Sequence, residues 1–314
     1  MSKPEILYAA FEAEPFMKTG GLGDVAGSLP VALQKAGADV RLIMPKFGAI
    51  PEEYRSRMTH LADFYMNLSW RHQYCGIDVL ERDGVTVYFI DNEYYFKRDY
   101  PYGYYDDGER IAFFSKAVLE SLRYLPDFRP RIIHCNDWHT ALIPVFLKTL
   151  YKGEPMFDRI RTVFTVHNLK FQGIFTDAIC EDILGLSRED AARYGMICDD
   201  TVNYMRGALS VSDRLTTVSP TYAEEICTHF YGERAEGIFI SRKSVLTGIL
   251  NGIDTEKLDP RKDPALPAHF SEKSVWRRRL CKEQFQRELG LAETPEAPLL
   301  VLVSRLTDQK GLDL

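Results

Sequence analysis

The chain has 314 residues, 45% of them hydrophobic and 27% charged, an ordinary composition for a soluble globular protein with room for two domains. Its net charge of −6 supplies no general basic field, and no apolar run approaches the roughly 20 residues that span a bilayer, so we expect neither nucleic acid nor membrane as a partner. The N-terminus lacks the apolar core of a signal peptide, and the six cysteines form no Cys-x-x-Cys pair. This pattern is typical of reduced thiols, and the predicted location is the cytoplasm.

Short apolar segments alternate with helical segments along the first 254 residues. The predicted strands cover 6–11, 39–45, 131–135, 161–166, 214–218 and 244–250, with a hairpin over 75–91 that turns at Asp83-Gly84. The predicted helices cover 22–36, 110–125, 139–151, 200–212 and 220–230. Short apolar strands separated by helices predict a parallel sheet that is covered by helices on both faces.

The segment 255–270 interrupts this alternation. Pro260, Pro264 and Pro267 cannot continue regular structure, which predicts a linker between a domain over 1–254 and a second domain over 271–314. The second domain is predicted to begin with a charged helix over 271–289 and an apolar strand over 297–303. Because a single strand cannot bury both of its faces, we expect the natural protein to continue beyond Leu314.

A glycine-rich motif, KTGGLGDV at 18–25, lies between the first predicted strand and the first helix. Gly20 and Gly21 allow the backbone to approach a ligand, while Lys18 and the helix N-terminus favour a phosphate. The alternative is a tight turn with glycine for packing. A nicotinamide dinucleotide site would need an acid at the end of the second strand, where the sequence has Met44-Pro45-Lys46, so that function is excluded.

Two polar motifs follow predicted strands at 134–140 (HCNDWHT) and 165–169 (TVHNL). Ligands of open parallel sheets bind beyond the carboxyl ends of the strands, so Asp137, His167 and Asn168 are candidates to bind sugar hydroxyls. The alternatives are that Asp137 caps the next helix and that the second motif is an exposed turn. The spacing of His134 and His139 matches no metal motif, and we expect no metal.

Three further segments carry weaker signals. Asn251 lies in an Asn-Gly turn after a strand, and a turn is a sufficient explanation. Arg305 and Lys310 follow the last predicted strand, where two cations could neutralise a diphosphate leaving group without a metal. The tyrosine-rich segment 94–105 could stack on sugars or could be an ordered surface loop.

Taken in order, these motifs resemble those of ADP-glucose-using glycogen and starch synthases, and the resemblance covers essentially the whole chain. It implies the α/β GT-B architecture, here an N-terminal Rossmann-like, doubly wound parallel sheet and the start of a second Rossmann-like domain. It also implies retaining transfer of glucose from ADP-glucose to the non-reducing 4-OH of an α-1,4-glucan such as glycogen. No cofactor is implied apart from the donor substrate. A UDP-glucose-using transferase and a non-catalytic glucan-binding module remain alternatives.

The resemblance also assigns residues to roles. Those implied to contact donor or acceptor are Lys18, Gly20, Gly21, Asp24, Asn168 and Asn251. Those implied to act in the transfer are Asp137 and His167, which hold the glucose, and Arg305 and Lys310, which stabilise the departing ADP. The family carries a further carboxylate and a nucleotide-binding segment that residues 1–314 lack, so this chain alone is expected to be inactive or nearly so.

Overall fold

The computed structural model describes residues 3–304, 306 and 310–312. The chain divides into two compact units, Met1–Gly252 and Ile253–Leu314. All strands of the described chain lie in the first unit. The predicted sites that follow strands before Gly252 therefore belong to the first unit, whereas Lys310 belongs to the second.

Among the described residues, twelve strands form two sheets. The strands are β1 Glu5–Ala9, β2 Asp39–Pro45, β3 Thr59–Leu68, β4 Arg71–Arg82, β5 Val85–Asp91, β6 Ile132–Asn136, β7 Arg161–Val166, β8 Ile174–Thr176, β9 Ile197–Cys198, β10 Thr201–Asn203, β11 Arg214–Thr217 and β12 Leu246–Gly248. Nine of them form the main sheet in the order β12-β11-β7-β6-β1-β2-β5-β4-β3, and the small sheet has the order β8-β10-β9. From β12 to β5 every pairing is parallel, while β4 pairs antiparallel with β5 and β3.

Helices connect these strands. The α-helices are α1 Gly21–Lys35, α2 Glu52–Arg55, α3 Glu93–Phe96, α4 Asp107–Ser121, α5 Leu142–Lys148, α6 Arg188–Arg193, α7 Tyr204–Val211, α8 Pro220–Glu225, α9 Glu236–Ser241 and α10 Arg278–Glu288. Shorter turns of 3₁₀ or π helix cover Trp138–Thr140, Cys180–Leu184, Lys243–Val245 and Glu272–Arg277. Successive residues of β1, from Leu7 to Ala9, are fully buried. Because neighbouring strand residues point to opposite faces, the centre of the sheet is covered on both sides, as predicted.

Most elements confirm the sequence predictions. The strands β2 and β7 have the predicted bounds, the hairpin turns at Asp83-Gly84, and Gly37 follows the end of α1 with a φ of +98°. The predicted helix over 200–212 is wrong at its start, because 201–203 pairs as β10 between β8 and β9 and Asn203 then caps α7. The predicted helix over 139–151 is instead a 3₁₀ turn followed by the shorter α5.

The second unit differs from its prediction at the last strand. The segment 255–270 contains neither helix nor strand, as its prolines predict, and α10 lies within the predicted helix over 271–289. The predicted strand over 297–303 is wrong, since among the described residues this segment pairs with no other strand, and Leu300 and Val303 are each 92% exposed. An apolar segment becomes a strand only when a neighbour supplies backbone hydrogen bonds.

Candidate active site

Parallel pairing brings the carboxyl ends of seven strands, from β12 to β5 in the sheet order, to one edge of the main sheet in the first unit. The glycine-rich loop follows β1, Asp137 follows β6 and His167 follows β7, and these three strands are neighbours in the order β7-β6-β1. Asn251 lies three residues beyond β12, at the same edge, and is exposed. The candidate site is built on this edge, where open parallel sheets bind their ligands.

Asp137 joins the ends of β6 and β7. Its Oδ1 accepts hydrogen bonds from the backbone N–H groups of His167 at 2.7 Å and Asn168 at 3.3 Å. It does not cap the helical turn that follows, so the alternative role as a helix cap is wrong. The residue has a φ of +55°, a conformation that L-residues adopt at a cost of about 1 kcal/mol or more and that clusters at functional sites.

A buried hydrogen-bond network orients the His167 imidazole. Asn136 Nδ2 donates to the carbonyl of Ala9 at 3.0 Å, which fixes the orientation of the amide. Its Oδ1 accepts from the Tyr8 hydroxyl at 3.0 Å and faces Nε2 of His167 at 3.0 Å. Because this oxygen can only accept, we assign the proton of His167 to Nε2, which leaves Nδ1 as an acceptor. No role is predicted for Asn136 from the sequence, although it lies inside the HCNDWHT motif.

Burial shifts the pKa values of the titratable groups at this edge in the direction that favours the neutral form of each group. Desolvation lowers the pKa of His167 to about 4. It raises the pKa of Asp137 to about 7, and the hydrogen bonds that the carboxylate accepts from the backbone N–H groups of His167 and Asn168 oppose that rise. Desolvation also lowers the pKa values of His134 and His139 to about 3. The three imidazoles are therefore neutral at pH 7, and they can exchange hydrogen bonds with hydroxyl groups without carrying charge.

His134 and His139 differ in their surroundings. His134 Nε2 lies 2.6 Å from the Thr165 hydroxyl. His139 stacks on Phe11, with ring centroids 5.1 Å apart, and also stacks on Tyr102, yet neither of its ring nitrogens has a hydrogen-bond partner among the described residues. The described part of the chain contains no group of three His, Cys, Asp or Glu side chains that could hold a metal ion.

In the glycine-rich loop, Lys18 is paired with acids of its own segment. Its Nζ lies 2.6 Å from Asp24 Oδ1 and 3.5 Å from Glu14 Oε2, and the Lys18 side chain is partly exposed. The Asp24 hydrogen bond is the largest cause of the raised pKa of Lys18. A phosphate that binds Lys18 would therefore have to replace Asp24 as its ion-pair partner. Asp24 is itself a residue predicted for the site.

Glu12, for which the sequence predicts no role, anchors this loop through Thr19. Its carboxylate is buried and accepts hydrogen bonds from the Thr19 backbone at 2.5 Å and from the Thr19 hydroxyl at 3.0 Å. The Thr19 hydroxyl also contacts the hydroxyl of Tyr102. Burial raises the pKa of Glu12, and its hydrogen bonds to the backbone of Thr19 and Gly20 oppose that rise. No sequence motif marks Glu12, because its partners lie seven residues away in a loop.

The two predicted glycines of the loop face open space. A Cβ built on Gly20 or Gly21 would meet no atom within 4 Å, and the φ of Gly20, −164°, is open to any residue. Packing therefore does not explain these glycines, and the free space over the first turn of α1 could admit a ligand close to the backbone. In contrast, a Cβ on Gly27 of the same helix would lie 2.5 Å from the Glu14 carbonyl oxygen.

The remaining residues of the motifs are placed as follows. Asn168 lies beside His167, and its Oδ1 accepts from the backbone of Lys170 at 3.1 Å. Trp138 packs over Gly173, whose φ is +67° and whose position has no room for a side chain. Lys310 is exposed in the second unit, and Arg305 lies outside the described residues.

Known families and proteins are similar to this chain over most of its length. The family described as starch synthase catalytic domain matches residues 5–241. Proteins named glycogen synthase from Anoxybacillus flavithermus and Desulforamulus reducens are 47% and 49% identical over 310 residues, which is 99% of this chain. The chain spans 64% of the length of each of these relatives.

A solved structure has the same fold as this chain. The catalytic domain of starch synthase IV from Arabidopsis thaliana, bound to ADP and acarbose, superposes with a TM-score of 0.84 at 32% sequence identity. The match covers 93% of this chain and 60% of that one. The predicted α/β fold of the GT-B type is thereby confirmed. Among the described residues, no helix combines the length and apolar character required to cross a membrane.

Proposed function

This chain belongs to the starch synthase catalytic domain family. From that premise we propose that it carries residues that bind the glucan acceptor and the transferred glucose in an ADP-glucose:α-1,4-glucan glucosyltransferase. The reaction is the retaining transfer of glucose to the non-reducing 4-OH of glycogen or a similar glucan. The proposed location is the cytoplasm, and the proposed reaction uses no metal or cofactor besides the donor.

The observation that carries this proposal is the hydrogen bond that connects Asp137, after β6, to the backbone of His167, after β7. The Asp137 carboxylate holds the backbone at His167, and Asn136 fixes the imidazole with Nδ1 as an acceptor. A neutral imidazole in this orientation accepts from a sugar hydroxyl such as the 6-OH. Because neither side chain needs to reorganise when sugar binds, the groups are preorganised for the charge that develops during transfer.

The glycine-rich loop is assigned to phosphate and acceptor. The open space over Gly20 and Gly21 admits a ligand to the N-terminus of α1, and Lys18 supplies a positive charge once it leaves Asp24. We further propose that Asn168 and Asn251 line the sugar site and that Arg305 and Lys310 neutralise the departing ADP, as the family resemblance implies.

The test is incorporation of labelled glucose into glycogen from ADP-glucose and from UDP-glucose. Two proteins are compared: this chain, and a joined chain in which residues 1–314 are followed by the C-terminal part of the Anoxybacillus flavithermus relative that this chain does not cover. We expect transfer by the joined chain from ADP-glucose. Transfer from UDP-glucose alone would instead assign the other donor.

Variants of the joined chain test the residue assignments. His167→Ala and Asp137→Ala should each lower kcat on the order of 100-fold, the loss typical of one preorganised polar group. His72→Ala is the control, because His72 is an exposed histidine on β4. Equal rates for His167→Ala and His72→Ala would remove His167 from the site.

A further inference from the structure

Four exposed aromatic side chains follow strands that end at the same edge of the sheet as the candidate site. Trp70 follows the carboxyl end of β3, and Tyr94, Tyr100 and Tyr105 follow the carboxyl end of β5, both of which run parallel to β1. These four side chains, here called the aromatic edge, are 73%, 62%, 69% and 95% exposed. Large apolar side chains that are exposed together mark surfaces that bind another molecule.

The backbone beneath the three tyrosines is fixed by buried charges. Arg110, fully buried, donates through Nε to the Tyr95 carbonyl at 2.7 Å and through Nη1 to Asp107 Oδ1 at 2.5 Å. The other Asp107 oxygen accepts from the backbone N–H of Gly103 at 2.6 Å and of Tyr104 at 3.1 Å. The segment is therefore an ordered platform, and a ligand that stacks on it loses little loop entropy.

Trp70 is held in place just as firmly. Its Nε1 donates to Asp182 Oδ1 at 2.9 Å, and the Arg71 guanidinium lies 4.4 Å from its ring centroid. Arg71 is itself fixed by ion pairs to Asp182 at 2.9 Å and to Glu109 at 3.2 Å. The indole thus has a set orientation while most of its surface remains open to solvent.

Hydrogen bonds and an ion pair of neighbouring residues connect the segment that carries the three tyrosines to the glycine-rich loop and to Trp70. At one end, the Tyr102 hydroxyl contacts Thr19 in the glycine-rich loop. At the other end, the Tyr95 hydroxyl donates to Glu109 at 2.5 Å, and Glu109 pairs with Arg71 beside Trp70. Since β1 and β3 are four strand spacings apart in the sheet order, the span is about 19 Å.

The charge of this segment selects among ligands that stack on aromatic rings. Residues 91–109 contain six carboxylates and two basic side chains, a net charge of −4. A single-stranded nucleic acid needs a basic groove in addition to its stacking rings, so a polyanion does not suit this surface. An uncharged polymer with flat apolar faces and many hydroxyl groups does suit it, because tyrosine and tryptophan offer a flat ring with a polar tip.

We propose that the aromatic edge binds successive glucose units of a long α-1,4-glucan that extends away from the acceptor end at the glycine-rich loop. This inference rests on the proposed function, since it takes the acceptor to be a glucan. A short oligosaccharide at β1 does not reach Trp70, whereas a long chain contacts both. The aromatic edge therefore sets the preference for long acceptors.

The experiment measures the dissociation constant of the 314-residue chain for a long linear maltodextrin by calorimetry. Trp70→Ala is expected to weaken binding about tenfold and Tyr105→Ala about threefold. Trp70→Phe, which retains a ring but loses the bond to Asp182, should bind within about twofold of the unaltered chain. Trp276→Ala, a 68% exposed tryptophan of the second unit, is the matched control and should bind like the unaltered chain.

A second readout separates this inference from the proposed function. In the joined chain, Trp70→Ala should leave transfer of glucose to maltotriose unchanged and should raise KM for the long maltodextrin. Unchanged maltodextrin binding by both Trp70→Ala and Tyr105→Ala would overturn the inference, even if transfer to maltotriose persists and the proposed function stands. Absence of maltodextrin binding by the unaltered chain would overturn it as well.

Discussion

At the scale of single residues, burial sets the protonation chemistry at the carboxyl edge of the sheet. His134, His139 and His167 have lowered pKa values and Asp137 has a raised one, and in each case loss of hydration is the leading cause. A sugar site gains from neutral groups, which exchange hydrogen bonds without the cost of desolvating an ion. The same shifts make the stability of the chain depend on pH.

Asp137→Asn tests the raised pKa of Asp137. The folded pKa of about 7 lies above the usual value of 3.8, so the folded state holds this proton more tightly than the unfolded state does. Its contribution to stability is full below about pH 4 and is lost as the pH rises through 7. The asparagine variant has no such loss. The free energy of unfolding of the variant minus that of the unaltered chain should therefore be about 2 kcal/mol larger at pH 8 than at pH 5.

The measurement is urea denaturation of both proteins at the two pH values. Asn168→Ala serves as the comparison, since it alters the same turn without removing a titratable group. If the free energies of unfolding of Asp137→Asn and the unaltered chain differ by the same amount at pH 5 and pH 8, the pKa of Asp137 is not raised.

His139→Phe tests the buried imidazole that lacks hydrogen bonds. Phenylalanine retains the stacking on Phe11 and Tyr102 and removes two unsatisfied nitrogens, so stability at pH 7 should rise by about 1 kcal/mol. The folded pKa of about 3 lies below the usual 6.5, so the stability contributed by neutral His139 is present above pH 6.5 and is lost as the pH falls toward 3. Thermal melts at pH 7 and pH 5 should show a larger gain for the variant at pH 5, and a loss of stability at both values would contradict the prediction.

At the scale of elements, the first two turns of α1 combine two kinds of glycine. Gly21 faces open space at the first position of the helix, whereas Gly27 lies against the backbone of Glu14. Glu12 holds the residues that lead into the helix through the Thr19 backbone. The N-terminus of α1 is thus anchored on its inner side and open on its outer side.

Gly21→Ala and Gly27→Ala should separate ligand approach from packing. Gly21→Ala has no clash and should change stability by less than about 1 kcal/mol, yet transfer by the joined chain should fall because the new methyl group occupies the ligand space. Gly27→Ala should destabilise the fold by about 1–3 kcal/mol, because its Cβ would meet a fixed carbonyl oxygen. Denaturation curves and transfer rates for both variants are the measurement, and full activity in Gly21→Ala would contradict ligand approach at this position.

At the scale of the whole molecule, the chain consists of two compact units of unequal size. The first contains both sheets and the continuous apolar core, and the boundary lies after Gly252. Residues 253–258 are exposed and contain neither helix nor strand. Such backbone is where local opening and proteolysis concentrate.

Limited digestion with trypsin should therefore cut first near this boundary, after Lys257, and leave a resistant fragment that contains the nine-stranded sheet. Mass spectrometry of the early products gives the cut site. The tyrosine-rich segment carries Lys97 and Arg98, but its hydrogen bonds to Asp106 and Glu93 should protect it. A first cut at Lys97 or Arg98 would contradict both this prediction and the rigidity that the aromatic edge requires.

The sequence by itself determined the features that depend on neighbouring residues. The alternation of apolar strands and helices, the turn at Asp83-Gly84 and the stop at Gly37 follow from local periodicity and backbone preference, and the ordered motifs indicated the family. Motifs that follow parallel strands also gave the candidate edge, because parallel pairing gathers carboxyl ends whatever the loop lengths.

Only the tertiary structure decided the features that join distant parts of the chain. Asn136 binds both Tyr8 and His167, Asp137 holds the end of β7 and not the next helix, and Glu12 anchors the glycine-rich loop. The strand predicted over 297–303 failed for the same reason that β3 and β10 went unrecognised, since strands depend on a partner. Hydrogen bonds and desolvation act through space, so the partners, the pKa values and the fixed orientation of the aromatic edge arise only when the fold brings those residues together.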